Sequence, residues 1–297
     1  MAIRVGYVPE HFSTPLQFAQ SNGYFQEAGV TVEMISYPSG SGAMIQSLNS
    51  GDLDIAIGLT EAFVRGIADT EESSEPKYQI VGTYVTSPLN WAVSTGINRD
   101  DLQNLTQLEG GKIGVSRIGS GSYVMSFVMA LQLQFKSAFK FSVCNTFENL
   151  RRSVNSGETD AFMWEYFTSK RYYDTKEIKM IGSIETPWPS WVVVKAKELP
   201  ANELLGFVKA VNRGIEYFNG HHEEAVDYIG THLDYSHEDA AEWLRTVKFH
   251  DDCGKVNNVP AVITATVNIL KTAGVLKHND NDKLLERNMQ LGLYQTQ

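Results

Sequence analysis

The sequence predicts an α/β fold with two lobes, each a doubly wound, mostly parallel sheet, followed by a C-terminal helical segment. Strand and helix signals alternate over the first two thirds of the chain, which is typical of parallel sheets. An eight-residue pattern at 47–54 recurs at 153–160 with five identical positions, so the two lobes are expected to share one topology. After residue 200 the apolar residues follow helical spacing.

The first lobe opens with three strand signals. Residues 3–8 and 30–37 are apolar runs that Pro9 and Pro38 end, and residues 53–59 are almost continuously apolar. Such continuous runs suit strands covered on both faces of a sheet. The segments between them, residues 15–28 and 43–49, carry helix signals and are each followed by glycine within two residues.

The middle of the chain repeats this order. Residues 112–116, 139–143 and 160–164 are predicted strands, and the segments 123–134 and 147–155 between them are predicted helices. In both copies of the repeated pattern a glycine ends the helix and an aspartate precedes the strand. Helix–glycine–strand joints are common, so the alternative is local similarity without duplication.

Two strand-rich segments, 78–95 and 181–194, are expected to cross between the lobes. The first lobe is then discontinuous, with residues 1–88 and 192–297, and the second lobe contains residues 89–191. The remaining predicted helices most simply complete the first lobe, and they span 204–218, 223–232, 238–247, 260–273 and 282–290.

Composition excludes several classes of protein. With 25 basic and 35 acidic residues the formal net charge is −10, which argues against a nucleic-acid partner. The chain has no apolar stretch of the ~18 residues that span a bilayer, so no membrane insertion is expected. The cysteines Cys144 and Cys253 are too far apart in sequence for a zinc cluster or a CxxC motif. The first residues read as a strand without a leader segment, so a cytoplasmic location is expected; the alternative is a periplasmic or secreted protein whose signal was removed.

Four stretches carry a family resemblance. They are residues 5–9, 19–25 with 29–30, 51–56 and 108–115, the last followed by a Ser/Gly loop. Through them the chain resembles the type II periplasmic-binding-protein fold. More narrowly, it is similar to the group that joins sulfonate-, taurine- and pyrimidine-binding proteins of ABC transporters to fungal thiamine-pyrimidine synthases. The resemblance covers most of residues 1–200 and implies a fold, whereas it says little about the ligand.

Open α/β sheets bind ligands beyond the carboxyl ends of their strands. The candidate ligand-binding residues are therefore those that follow each predicted strand or lie in the crossings. They are Tyr7, Glu10, His11, Phe12, Ser39, Gly40, Ser41, Thr60, Glu61, Tyr84, Asn90, Trp91, Arg117, Ser120, Gly121, Ser122, Trp164, Glu165, Tyr166 and Trp188, with Trp191 added from the second crossing.

Two chemistries are expected at this cleft. The Ser/Gly loops at 39–42 and 117–122 open helices, whose free N–H groups attract anions, and Arg117 adds a charge; plain helix capping is the alternative. The aromatic pair around Glu165 suits a flat ring bearing amino groups; the alternative is an ordinary packed strand end. Residues 221–224, two histidines and two glutamates, are interpreted as a solvated turn and not as a metal site.

The sequence is compatible with two functions for this cleft. The first is non-catalytic binding of a small planar or anionic metabolite, such as a pyrimidine, a thiamine-precursor-like compound, or a sulfonate or phosphate compound, with hinge closure. The second is an enzyme like the thiamine-pyrimidine synthases, which use pyridoxal phosphate on a lysine, a donor histidine and a cysteine-rich iron motif. Residues 1–76 contain no lysine, His11 is the only early histidine, and no cysteines cluster. Binding without catalysis and without a cofactor is therefore expected, while a protein partner and the oligomeric state stay open.

Overall fold

The computed structural model describes residues 2–295 and contains two five-stranded sheets. The strands, in chain order, are β1 (Ile3–Tyr7), β2 (Val32–Ser36), β3 (Ile55–Leu59), β4 (Tyr78–Val85), β5 (Asn90–Gly96), β6 (Lys112–Val115), β7 (Lys140–Val143), β8 (Ala161–Glu165), β9 (Ile178–Glu185) and β10 (Trp191–Ala196). The first sheet has the order β2-β1-β3-β10-β4 and the second β7-β6-β8-β5-β9. Each sheet is the centre of one lobe.

Helices flank both sheets. They are α1 (Thr14–Ser21), α2 (Tyr24–Glu27), α3 (Ser41–Ser50), α4 (Thr60–Ala68), α5 (Gly121–Gln132), α6 (Phe147–Ser156), α7 (Tyr166–Asp174), α8 (Ala201–Gly220), α9 (His222–His232), α10 (His237–Leu244), α11 (Ala265–Ala273) and α12 (Asp282–Leu291). Short 3-10 turns lie at His11–Ser13 and Leu105–Leu108, and one π turn at Pro260–Thr264 leads into α11.

The two sheets share one topology. In each, three strands pair in parallel through helical crossovers: β2, β1 and β3 in the first sheet, and β7, β6 and β8 in the second. A fourth strand, β10 or β5, then pairs antiparallel on both sides, so four of the five strands run the same way. The predicted two-lobed α/β fold with mostly parallel sheets is confirmed. The repeated sequence pattern falls at equivalent places, since Gly51 ends α3 and Gly157 ends α6, both with a left-handed backbone.

The structure corrects several predicted elements. The helix expected over 15–28 is divided into α1 and α2 because Gly23 takes a left-handed conformation with φ 73°. Segments 78–95 and 181–194 each contain two strands that belong to different sheets, so both segments pass from one lobe to the other. Helices α4 and α7 were not predicted, since each begins directly after a buried strand, and the residue before each, Leu59 or Glu165, is not one of the usual N-cap types.

The C-terminal helices complete the first lobe. Helix α8 packs against α1 and α2, and α12 packs against α4. Asn288 of α12 is fully buried and donates to the carbonyl oxygens of Ala68 and Thr70 at the end of α4, at 3.1 and 2.7 Å. These hydrogen bonds satisfy carbonyl groups that a helix end leaves unpaired, and they attach α12 to the end of α4.

The chain passes between the sheets twice, at residues 86–89 and 186–190. The two crossings lie side by side and are hydrogen bonded: Leu89 and Thr186 exchange two bonds of 3.0 Å, and Ser190 Oγ donates to the Ser87 carbonyl at 2.7 Å. We refer to these two connections together as the hinge, because a few residues in short paired connections can absorb a rotation of one lobe against the other.

Candidate functional site

A cavity of about 40 Å³ lies between the lobes, at the carboxyl ends of the parallel strands. Both lobes contribute to its wall, and the first crossing adds Leu89. The lining residues are Val8, Glu10, Ser39, Gly40, Ser41, Leu59, Leu89, Trp91, Ser116, Ser120, Gly121, Ser122, Trp164, Glu165 and Trp191. Ten of them, together with Trp191, are residues that the sequence analysis placed in the cleft.

The Ser/Gly loops enter this wall through the N-terminal ends of α3 and α5. Gly40 precedes α3 with a φ of 79°, a conformation that favours glycine, and it makes no side-chain cap. Ser41 Oγ accepts a hydrogen bond from the Leu59 amide at 2.9 Å, which ties α3 to the end of β3. In the second lobe Ser120 caps α5 by accepting from the Tyr123 amide at 3.3 Å, and its hydroxyl lies 3.0 Å from that of Ser122. Two helix N-termini therefore face the cleft from opposite lobes.

Two carboxyl groups face the same cavity. Glu10 follows β1 in the first lobe, and Glu165 ends β8 in the second, where only 5% of it is exposed. The Thr168 amide and hydroxyl both donate to Glu165 Oε2, at 2.8 and 3.0 Å, so this carboxylate also caps α7. The Trp164 indole donates to Glu10 Oε1 at 3.1 Å and links the lobes directly across the cleft.

The protonation of Glu10 reflects this crowding. Burial, and the nearby Glu165 carboxylate, raise the pKa of Glu10 to about 8, and the hydrogen bond from Trp164 only partly offsets them. Three indoles, those of Trp91, Trp164 and Trp191, supply the apolar wall. Within the described residues 2–295 the lining contains no Lys, Arg or His, so its formal charge is negative.

An aromatic cluster lies behind the carboxyl groups. His11 is fully buried between the rings of Tyr235 and Trp243, with centroids 4.4 and 4.2 Å away. Its Nε2 lies 3.4 Å from Glu165 Oε2, and neither ring nitrogen has a hydrogen-bond partner among the described residues. Phe12 stacks on Trp191 at 5.0 Å and joins the cluster to the cavity wall. His11 thus packs against Glu165 outside the cavity lining.

Other predicted site residues lie outside the lining and serve the hinge. Thr60 Oγ1 donates to the Pro189 carbonyl at 2.6 Å. Glu61 is fully buried and accepts a hydrogen bond of 2.9 Å from the Trp188 indole. Burial raises the pKa of Glu61 to about 7, even though backbone and Trp188 hydrogen bonds favour the ionised form. Asn90 begins β5 and pairs with Glu185.

The remaining predicted residues pack around the site. Tyr84 is buried and donates to the Phe12 carbonyl at 2.9 Å, and Tyr7 is half-buried at the end of β1. Tyr166 begins α7 and packs on Phe167. Arg117 lies across the cleft from α3: a Cβ placed on Gly42 would be 3.6 Å from its Cβ and Cδ.

Sequence reasoning missed four lining residues: Val8, Leu59, Leu89 and Ser116. Leu59 is the last residue of its strand, Val8 and Ser116 each follow one directly, and Leu89 immediately precedes β5. Their apolar or small side chains resemble those of a sheet core, so the sequence pattern did not distinguish them from buried strand residues. The signal was available, because the end of a strand itself faces the crevice.

Outside the cavity, α7 of the second lobe contacts α10 and the segment before it in the first lobe. Lys170 Nζ lies 2.9 Å from the Asp239 carboxylate, of which 6% is exposed. The hydroxyls of Thr168 and Tyr235 are 2.8 Å apart, and Tyr172 donates to Asp234 at 2.9 Å. These polar contacts hold the lobes together on the side of the cleft away from α5.

Within residues 2–295 no three His, Cys, Asp or Glu side chains are grouped so that they could hold a metal ion. Of the histidine pair at 221–222, His221 stacks on Tyr217 at the end of α8, and His222 begins α9. The same range contains no helix with the length and hydropathy needed to cross a bilayer.

The fold and the cleft define the class of protein. Two lobes of one topology, joined by two crossings with a cavity between them, are the architecture of the type II periplasmic-binding-protein fold. Solved structures with little sequence similarity share it. The alkanesulfonate-binding protein SsuA from Xanthomonas axonopodis pv. citri, bound to MOPS, is 12% identical with a TM-score of 0.75, and the match covers 94% of this chain and 95% of that one. A ligand-binding component of an ABC-type import system from Staphylococcus aureus is 14% identical with a TM-score of 0.68 and 93% coverage of both chains.

A much closer match identifies the family. The Candida albicans CA3427 gene product, described as defining a new family with the generic periplasmic-binding-protein fold, is 48% identical with a TM-score of 0.93, and the match covers 100% of this chain and 97% of that one. The chain belongs to the CA3427 family. Sequence families agree: the Ca3427-like PBP family matches residues 91–184 and the NMT1-like family matches residues 1–106. No curated protein matches the sequence.

Proposed function

We propose that this protein binds a small planar ligand bearing amino or protonated ring nitrogens in the interlobe cavity, without catalysis. The observation that carries the proposal is the lining itself. Two carboxyl groups, Glu10 and Glu165, face a space walled by three indoles. Indole faces stack on flat rings, and carboxylates accept strong hydrogen bonds from charged or polar N–H groups. An aminopyrimidine has both properties.

A bare sulfonate or phosphate fits this lining less well. Its charge would be placed beside Glu10 and Glu165 in a site largely removed from water, where like charges repel strongly. An anionic group attached to the ring has a separate place, between the N-termini of α3 and α5 and the hydroxyls of Ser41 and Ser120. A phosphate ester of an aminopyrimidine therefore belongs to the same proposed ligand class.

Binding requires the lobes to separate. A cavity of about 40 Å³ accommodates one or two water molecules, whereas pockets for small ligands usually measure roughly 300–1,000 Å³. The hinge formed by residues 86–89 and 186–190 is where such a motion is expected. We infer that the ligand enters an open form and that closure then buries it.

The experiment is a calorimetric and thermal-shift comparison of aminopyrimidines, their phosphate esters, pyridoxal phosphate, alkanesulfonates, and inorganic phosphate and sulfate. We expect aminopyrimidines to bind, with a ligand at 100 times its Kd stabilising the protein by ~2.7 kcal/mol. Binding of sulfonates or phosphate alone would contradict the proposal. Product analysis of any mixture that binds tests for turnover, which would favour the enzyme alternative.

Two substitutions assign the site. Glu165→Gln should weaken aminopyrimidine binding about tenfold to a hundredfold, the effect of losing a charged hydrogen bond worth ~1.5–3 kcal/mol. Glu61→Gln is the matched control, because Glu61 is also a buried carboxyl but lies outside the cavity lining. Equal effects of the two substitutions would mean that the ligand does not contact the cavity.

A further inference from the structure

The carboxyl groups of Glu10 and Glu165 come from different lobes and line the same interlobe cavity. We propose that closure of the empty cleft takes up one proton, which the pair Glu10–Glu165 holds, so that acid favours the closed form. The inference rests on the proposed function only in assigning this cavity to the ligand. Its direct consequence is that the open–closed equilibrium of the protein depends on pH.

The geometry supplies the reason. In the closed cleft Glu165 is 5% exposed, and its Oε2 is already committed to the Thr168 amide and hydroxyl. Among the described residues, the Glu10 carboxyl accepts one hydrogen bond, from the Trp164 indole. Two carboxylates in a cavity of about 40 Å³ cannot both stay ionised without a large electrostatic penalty. A proton on one of them removes the repulsion.

The titratable groups that face the pair are one imidazole and two phenols. His11 approaches Glu165 from the turn after β1 at 3.4 Å, and the Tyr235 phenol lies over His11 from the segment between α9 and α10. Burial keeps the Tyr235 phenol protonated by raising its pKa well above the ordinary value, and burial likewise raises the pKa of Tyr173 of α7, which interacts with Glu165, to about 12. The cavity lining contributes no Lys or Arg among residues 2–295. His11 is thus the one basic side chain among the groups that face the pair.

The sign follows from the two forms of Glu10. In the closed form the pKa of Glu10 is raised from 4.5 to about 8, whereas in the open form the carboxyl is hydrated and apart from Glu165, so its pKa is near the ordinary value. Between these two values the closed form binds more protons. The closing equilibrium constant should therefore fall by up to about tenfold per pH unit across this window and level off above it.

The test uses the unliganded full chain with one fluorophore on each lobe, and measures open and closed populations by single-molecule energy transfer. The wild type should shift toward the open form as the pH rises through the window. Glu10→Gln should abolish most of this dependence, and Glu165→Gln provides a second variant that removes the repulsion from the other lobe. Glu33→Gln, an exposed carboxyl on β2, is the control and should keep the full dependence.

A pH-independent equilibrium in the wild type would overturn the inference, and so would an unchanged pH dependence in Glu10→Gln and Glu165→Gln. Circular dichroism and thermal melts establish that each variant is folded. Since no ligand is added, the result is separate from the ligand proposal. Aminopyrimidines could fail to bind while closure still takes up a proton, and they could bind while closure proves independent of pH.

Discussion

Gly121 allows the lobes to close, and replacing it with alanine should hold them apart. Gly121 begins α5 in the second lobe and lines the cavity. A Cβ at this position would lie 2.3 Å from Leu59 Cδ1, across the cleft at the end of β3, and 3.2 Å from the Trp91 indole. Carbon atoms in contact normally stand ~3.5–4.0 Å apart, so the first contact alone requires a displacement of more than an ångström.

The energetic cost of Gly121→Ala depends on how far Leu59 and Trp91 can move. Leu59 lines the cavity of about 40 Å³, so turning it aside takes space that the ligand needs, and the Trp91 ring is buried in the sheet. Overpacking of this kind costs about 1–3 kcal/mol. Because the clash with Leu59 exists only in the closed form, this energy should appear as a loss of ligand affinity of roughly fivefold to 150-fold.

Gly42→Ala provides the matched control. Gly42 also lies in the first turn of a cleft helix, α3, but its Cβ would meet Arg117 and Ser120 at 3.6 Å, which is ordinary contact. Both substitutions remove a helical glycine and should stabilise the folded chain by a few tenths to ~1 kcal/mol. Calorimetry with an aminopyrimidine and energy transfer between the lobes measure the outcome. If Gly121→Ala closes and binds as well as Gly42→Ala does, the reasoning about this contact is wrong.

Three further predictions follow from buried contacts. Lys170→Met should lower the equilibrium constant for closure about fivefold, because it leaves the buried Asp239 carboxylate without its Lys170 partner. The same constant of the wild type should fall at high salt. Energy-transfer measurements at two ionic strengths check both results. Because the pKa of Glu61 is raised to about 7, its ionisation should lower the free energy of unfolding by up to roughly 3 kcal/mol as the pH rises from about 4.5 to above 7. In urea melts, the free energy of unfolding of Glu61→Gln should depend less on pH over that range. Trp243→Ala should lower the free energy of unfolding by about 3–5 kcal/mol, because its buried ring packs on His11 and Phe12; a loss below 1 kcal/mol would refute this packing role.

The parts of the fold that were predictable have local signals. Apolar runs ended by Pro9 and Pro38, and helices ended by Gly51 and Gly157, follow from backbone conformations that these residue types impose. The unpredicted helix α4 begins directly after the last residue of a buried strand, where no local change of composition marks the boundary. Its position is set by packing against α3 and α12, which sequence periodicity does not contain.

The candidate site divides in a similar way. Sequence position alone indicated Glu10, Glu165 and both Ser/Gly loops, because the carboxyl ends of parallel strands meet at one edge of a sheet. It also placed Glu61 and Trp188 beside the ligand, whereas in the structure they bond to each other beside the hinge. The pairs Glu10–Trp164 and Glu61–Trp188 each join a glutamate to a tryptophan by a hydrogen bond. Only their position relative to the cavity distinguishes them.

The sequence by itself determined the two-lobed α/β fold, because hydrophobic periodicity and turn residues act over short distances along the chain. It also determined the residue types available at the cleft. Only the tertiary structure decided that Glu10 and Glu165, 155 positions apart, face one small cavity without a basic side chain in its lining. That juxtaposition depends on how two lobes close, and it sets the charge of the site because burial and proximity, and not residue identity, govern whether a carboxyl group keeps its proton.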